Sequence, residues 1–194
     1  MAQVKKASVR EAILTAAFRQ ISENGYYQAS MPAIAKEAGI TAGNIYRYYP
    51  SKFELFFEVL APWMDRHLCI LEQQCADIPM PMDRLRFLLQ FMWITLPEAD
   101  NNFARNIAQA LATKKADDPY SRDLLHASEM RVAQILGGCF EPSAMSQQKL
   151  ASLVRLIFMS HDGFVLNVQL SQGTSTAEDI GELFREILVS SLST

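Results

Sequence analysis

Between Ser30 and Pro50, this 194-residue chain spaces hydroxyls, an amide, phenols and a guanidinium in a short run: Ser30, Thr41, Asn44, Tyr46, Arg47 and Tyr48, with the ammonium of Lys52 just beyond. Read at helical spacing, two short helices flank Ala38-Gly39-Ile40-Thr41, which has the length and turn of a helix-turn-helix unit. Ile34, Ile40 and Ile45 fill the space between them, Ala35 and Ala38 permit a close crossing, and Gly39 can take the left-handed backbone that reverses the chain. Thr41, Ala42, Gly43, Asn44, Arg47 and Tyr48 are left facing outward, and their chemistry suits a DNA duplex. Thr41, the N–H groups of a helix start and Lys52 suit phosphates. Arg47 suits a guanine edge or a phosphate, Asn44 an adenine, and Ala42 a thymine methyl, while Gly43 lets the backbone approach closely. Tyr46 and Tyr48 can donate hydroxyls to phosphate. The same pattern fits a solvated helical hairpin equally well.

The elements that must position these groups all read as helices. Period-3.6 patterning dominates and no long alternating strand pattern occurs, so the fold class is all-α. A first helix is predicted from Ser8, with Glu11 closing a capping box, an apolar face of Ile13, Ala16, Ala17 and Ile21, and Gly25 as its stop. Ser51 and Glu54 form a second capping box that opens a helix from Lys52 into the 70s, in which Pro62 predicts a bend or a break. Further helices are expected over Asp83 to Leu96, closed by Pro97, and over Asn102 to Lys115. Another runs from Asp118-Pro119 to Gly137-Gly138. The last two span Gln148 to Gln169 and, after a turn at Gly173, a stretch opened by Thr176 with Asp179.

Composition removes several function classes. Apolar residues at 49% and charged residues at 20% are globular rather than disordered. No run approaches the roughly 18 apolar residues of a membrane span. The start MAQVKKASVREA has no apolar region of a signal peptide, so no membrane partner and a cytoplasmic location are expected. Cys69, Cys75 and Cys139 lack disulfide or metal spacing, and His67, His126 and His161 are scattered, so neither a metal nor any other cofactor is expected. GxGxxG, GKS or GKT, HExxH and GxSxG are all missing, which argues against an enzyme. The net charge of -3 hides a split. Residues 1–54 carry seven basic and four acidic side chains, net +3, and the remainder eleven and seventeen, net -6. A basic head on an acidic body is expected when one end meets a polyanion.

The stretch from Arg10 to Leu60, REAILTAAFRQISENGYYQASMPAIAKEAGITAGNIYRYYPSKFELFFEVL, resembles the TetR family of transcriptional regulators. The family's glycine, hydroxylic residue and IA..AG are met by Gly25, Ser30, Ile34-Ala35 and Ala38-Gly39. Its continuation is met by Thr41, Gly43, Ile45-Tyr46, Tyr49 and Ser51-Lys52. Roughly a quarter of the chain carries the pattern. The resemblance implies a three-helix DNA-binding head with a helix-turn-helix, a connecting fourth helix, a ligand-sensing body, and a homodimer made largely by the last two helices. It places DNA contacts on Thr41, Ala42, Gly43, Tyr46, Arg47, Tyr48 and Lys52, with Ser30 and Met31 at the start of the second helix. Met31 stands where a second threonine is frequent, and Arg47-Tyr48-Tyr49 departs from the commonest pattern, which bears on the operator sequence. A disordered arm with Lys5 and Lys6 can add phosphate or minor-groove contacts.

Expected domains are 8–60 for the head and 61–194 for the body. Trp63, Met64, Phe87, Phe91, Met92, Trp93, Phe103, Met130 and Phe164 are candidates for a pocket, although core filling explains any one of them first, since helical apolar stripes are first of all core. Leu153 and Leu156, with Leu183, Phe184 and Ile187, are candidates for the dimer interface. The expected function is a ligand-responsive DNA-binding regulator. In this reading a repressor leaves an inverted-repeat operator when a small apolar or amphipathic effector binds. Alternatives are an activator of the same fold or a helical adaptor without DNA binding. Arg47 and Lys52 favour the regulator over the adaptor.

Overall fold

Gly25 sets the first turning point of the chain. In the computed structural model, which describes residues 2–99, 102–114, 122–141, 143–170 and 177–190, α1 (Ala2–Gln28) consists of two helical pieces meeting at Gly25, with φ 79° and ψ 160°. Only glycine adopts that backbone readily. The helix begins at Ala2, so Ser8 lies inside it and is not its cap, and the segment carrying Lys5 and Lys6 is its first turns rather than a disordered arm. No strand occurs among the described residues.

The helices fall into two units, residues 1–63 with 101–121, and residues 64–100 with 122–194. The first unit therefore recruits a segment from beyond position 100, which the expected boundary at 60 left in the body. It holds α1, α2 (Met31–Glu37), α3 (Ala42–Ile45), the start of α4 (Lys52–Ala76) and α7 (Phe103–Ala112). α1 packs on both α2 and α7. Ile13, Ala17 and Ile21 meet Ile34, Ile45, Leu55, Phe56 and Phe103 in a core with almost no solvent access. α2 ends in a paired C-terminal turn, with Ile40 N–H on the Ala35 carbonyl at 2.9 Å and Gly39 N–H on Lys36 at 3.2 Å. Gly39 carries φ 71°, the left-handed conformation this turn requires.

α4 runs through Pro62 without a break. Pro62 and Glu58, whose carbonyl the ring crowds, are both exposed. That carbonyl can turn to water at little cost.

The second unit holds the rest of α4, α5 (Pro81–Gln90), a π-helical turn (Phe91–Thr95), α6 (Leu96–Glu98), α8 (Asp123–Gly137), α9 (Gln147–Leu170) and α10 (Ala177–Ser190). The expected helix over 83–96 thus extends past Pro97 by widening. Leu96 N–H bonds the Phe91 carbonyl, five residues back. In a regular α-helix the Pro97 ring would crowd the Trp93 carbonyl, and a wider turn relieves it. Phe91, Met92 and Trp93 on this turn are buried, and Trp93 lies against Phe184 of α10 with ring centroids 4.9 Å apart. Arg131 of α8 binds both Glu72 oxygens, one at 2.6 Å, and Asp65 at 2.7 Å, tying α8 to α4. Asp118-Pro119, Gly173 and Thr176 lie outside the described residues.

Candidate functional site

Two caps build the helix pair. Ser30 Oγ accepts from Ala33 N–H and Thr41 Oγ1 from Asn44 N–H, each at 3.3 Å. Each cap satisfies a helix-start donor and fixes where its helix begins. α3 is a single α-turn. The chain then coils on through Arg47 N–H to Asn44 at 3.1 Å, and through Tyr48 and Tyr49 N–H to Ile45 at 3.0 Å. Thr41, Ala42, Gly43, Tyr46 and Arg47 are exposed, Asn44 and Tyr48 half-buried, and Ile45 and Tyr49 buried. A Cβ at Gly43 would meet nothing within 4 Å. That glycine therefore serves no internal packing and leaves a smooth outer face.

Tyr49 is the wedge that holds this face outward. Its hydroxyl accepts from Arg10 Nε at 3.0 Å, and the same guanidinium binds Glu58 at 2.6 Å. Burial raises the Tyr49 pKa, with the Arg10 hydrogen bond opposing. At the other end, Glu37 of α2 takes Gln20 at 2.7 Å and Arg19 at 3.1 Å from α1.

Met31 and Lys52, also carried over as DNA contacts, both have partners within the fold. Met31 is 5% exposed, because it shares the inward stripe of Ile34 and Ala35. Lys52 donates to the carbonyls of Tyr26 at 2.7 Å and Ala29 at 2.9 Å and stands 4.3 Å from the centroid of the Tyr26 ring. The C-terminal end of α1 leaves carbonyls without helical donors, and the ammonium at the start of α4 supplies one. Burial lowers its pKa. The Ser51 cap predicted beside it is formed, with Glu54 N–H on Ser51 Oγ at 3.1 Å.

Sequence reasoning missed Asn106 and Gln109 of α7. Asn106 Oδ1 accepts from Tyr26 N–H at 2.7 Å, and Gln109 Oε1 from Tyr27 N–H at 3.0 Å. The available signal was an amide inside the apolar stripe of Phe103 and Ala110, and Asn106 is fully buried there.

The family model described as bacterial regulatory proteins, tetR family, matches residues 13–59, the span that holds this capped and wedged helix pair. Residues 13–59 thus match the N-terminal domain of the TetR family. It is 33% identical over 76 residues to the HTH-type transcriptional regulator HbdR of Aromatoleum sp., a match covering 39% of this chain and 33% of that protein. It is 32% identical over 82 residues to the HTH-type transcriptional repressor KstR of Rhodococcus jostii, covering 41% and 37%. The chain thus spans little more than a third of the length of these relatives. Over nearly the whole chain it shares a fold with the transcriptional regulator FadR from Bacillus subtilis, solved in complex with stearoyl-CoA. That likeness has a TM-score of 0.66 at 20% identity and covers 93% of this chain and 98% of the other.

The candidates for a pocket divide between the two units. Phe103 and Trp63 lie in the first, their rings 5.0 Å apart, with Phe56 and Phe18 also against Phe103. They fill the core of the first unit, because the face of α7 that carries Phe103 packs on α1. Met64, Phe87 and Phe164 are half-buried and Phe91, Met92 and Trp93 buried in the second unit. Met130 is exposed and borders a cavity of about 330 Å³ with Phe140, Met145 and Leu150. Trp93 Nε1 and His161 Nε2 are buried without a hydrogen-bond partner. Among the interface candidates Leu156, Leu183 and Ile187 are exposed, as is Met159 beside them, and Leu153 is half-buried. Phe184 is half-buried and its ring lies against Trp93.

Proposed function

We propose that this chain is a ligand-responsive repressor whose Thr41–Tyr48 surface enters the major groove of an inverted-repeat operator. The observation that carries the reading is that surface itself. Thr41, Ala42, Gly43, Tyr46 and Arg47 are exposed on one turn, held rigid from behind by Ile45 and Tyr49. Ser30, with Asn44 and Tyr48 at the edges, completes the set, while Met31 and Lys52 act from within. Two copies joining through the exposed Leu156, Met159, Leu183 and Ile187 on α9 and α10 would give the two-fold symmetry that such an operator mirrors. The effector is an apolar or amphipathic molecule taken up by the second unit. The acyl thioester held by the FadR likeness makes a long-chain acyl-CoA the first compound to test. An effector that prefers the non-binding form about 100-fold shifts the equilibrium by roughly 2.7 kcal/mol.

The test is selection of duplex DNA from a random library by the ligand-free protein, followed by release with stearoyl-CoA and other amphipathic compounds. Enrichment of an inverted repeat, lost in Arg47→Ala with the melting temperature unchanged, is the expected result. No enrichment of any duplex sinks the DNA reading. Enrichment without release by any compound that raises the melting temperature sinks the effector reading alone. Sedimentation should give a dimer that Leu183→Glu dissociates, since a charge buried in that face is strongly unfavourable.

A further inference from the structure

The elbow between α1 and α2 is built on a glycine, and a glycine alone does not hold an angle. At Gly25 the helix ends its normal path, so the N–H groups of Tyr26 and Tyr27 must find acceptors elsewhere. They find them on α7. Asn106 Oδ1 takes Tyr26 N–H and Gln109 Oε1 takes Tyr27 N–H. Both amide oxygens lie across the glycine, 3.6 and 3.8 Å from where a Cβ at Gly25 would stand. The carbonyls of Tyr26 and Ala29 in the same segment are held by Lys52.

We propose that Asn106 and Gln109 are positioning residues for DNA recognition. By holding Tyr26 and Tyr27 they fix the angle at which α2 and α3 leave α1. The proposal rests on the DNA-binding reading above and adds a control point to it. α7 touches the elbow through two hydrogen bonds that fail beyond about 3.5 Å. A movement of α7 by roughly an ångström releases both, and the recognition turn then samples many angles instead of one. A residue that merely filled the core would, when replaced, lower stability and leave the preferred operator geometry alone.

Gln109 is half-buried and tolerates replacement, so it gives the cleaner comparison. Gln109→Ala removes the acceptor and Gln109→Glu keeps it. Asn106→Leu removes the acceptor with little change of volume. Each full-length variant is measured against the wild type's selected operator, against the same operator with its half-site spacing changed by one or two base pairs, and against random DNA. A fall of the binding-competent fraction to about one tenth raises the apparent Kd about tenfold. The expected result is weaker binding to the preferred operator by about that factor in Asn106→Leu and by less in Gln109→Ala. Both should show a flattened preference for spacing, with Gln109→Glu restored and random-DNA affinity unchanged. If Asn106→Leu fails to fold, the Gln109 pair decides. Wild-type affinity and spacing preference in folded Gln109→Ala would overturn the proposal. Failure of the wild type to bind any duplex would instead overturn the reading beneath it.

Discussion

Replacing Lys52 with methionine separates two roles for one side chain. Methionine keeps most of the stem and removes the ammonium. In the structure that ammonium donates at 2.7 Å to Tyr26 and 2.9 Å to Ala29, with a longer 3.5 Å approach to Tyr27. Two hydrogen bonds from a charged donor contribute about 1.5–3 kcal/mol each. Partial burial of the charge opposes them, in line with the lowered pKa. A net loss of about 2 kcal/mol is therefore expected, and for a chain of this size that lowers the melting temperature by roughly 4–8 °C. The assay pairs thermal melting with operator binding at several salt concentrations. A lysine that neutralises a phosphate contributes about one unit to the salt slope, and a lysine that staples carbonyls contributes none. Lys52→Met should melt earlier and keep its slope. A variant that melts like the wild type and loses about one unit of slope would refute the carbonyl staple and return Lys52 to the phosphate set.

Gly25→Ala should cost about 1–3 kcal/mol in denaturant unfolding through backbone strain, since the Cβ itself meets only ordinary contacts. Gly25→Asn should do no better, because ψ 160° lies outside the left-handed helical well that asparagine tolerates. Tyr49 is held neutral by burial above its usual pKa of about 10, so its contribution is fully present below that pH and is lost as pH rises through the folded value. Melting temperatures should fall over that alkaline window in the wild type and fall less in Tyr49→Phe. Arg131→Leu removes the fork onto Glu72 and leaves that carboxylate half-buried, with an expected loss of roughly 1–3 kcal/mol. A double-mutant cycle with Glu72→Gln should show coupling, and strict additivity would count against the fork.

Local chemistry was legible in the chain, and distant partnership was not. The caps at Ser30, Thr41 and Ser51 and the left-handed turn at Gly39 could be read because each depends on residues within a few positions. The carbonyl staple of Lys52 went unread because its acceptors lie 23 and 26 residues upstream. Asn106 and Gln109 went unread because the N–H groups they serve are 80 and 82 residues away. Helical periodicity marks Trp63 and Phe103 as apolar without saying which core they enter, and proximity in sequence to the body misdirected both. Ser8 fitted a capping box, yet Ala2 to Ala7 also favour helix, and an internal serine is tolerated there. Pro97 reads as a terminator only if the preceding turn cannot widen.

α7 also bears on how this chain can be taken apart and recombined. The first unit is not a detachable N-terminal cassette. A fragment ending at Trp63 would bare the rings of Phe18, Phe56 and Trp63 that Phe103 now covers. A chimera that grafts this head onto a foreign body must bring along the helix of residues 103–112, or find a substitute that presents an aromatic ring and two amides at the same places. In this chain the helix of residues 103–112 answers to the head, although its neighbours in sequence on both sides belong to the second unit.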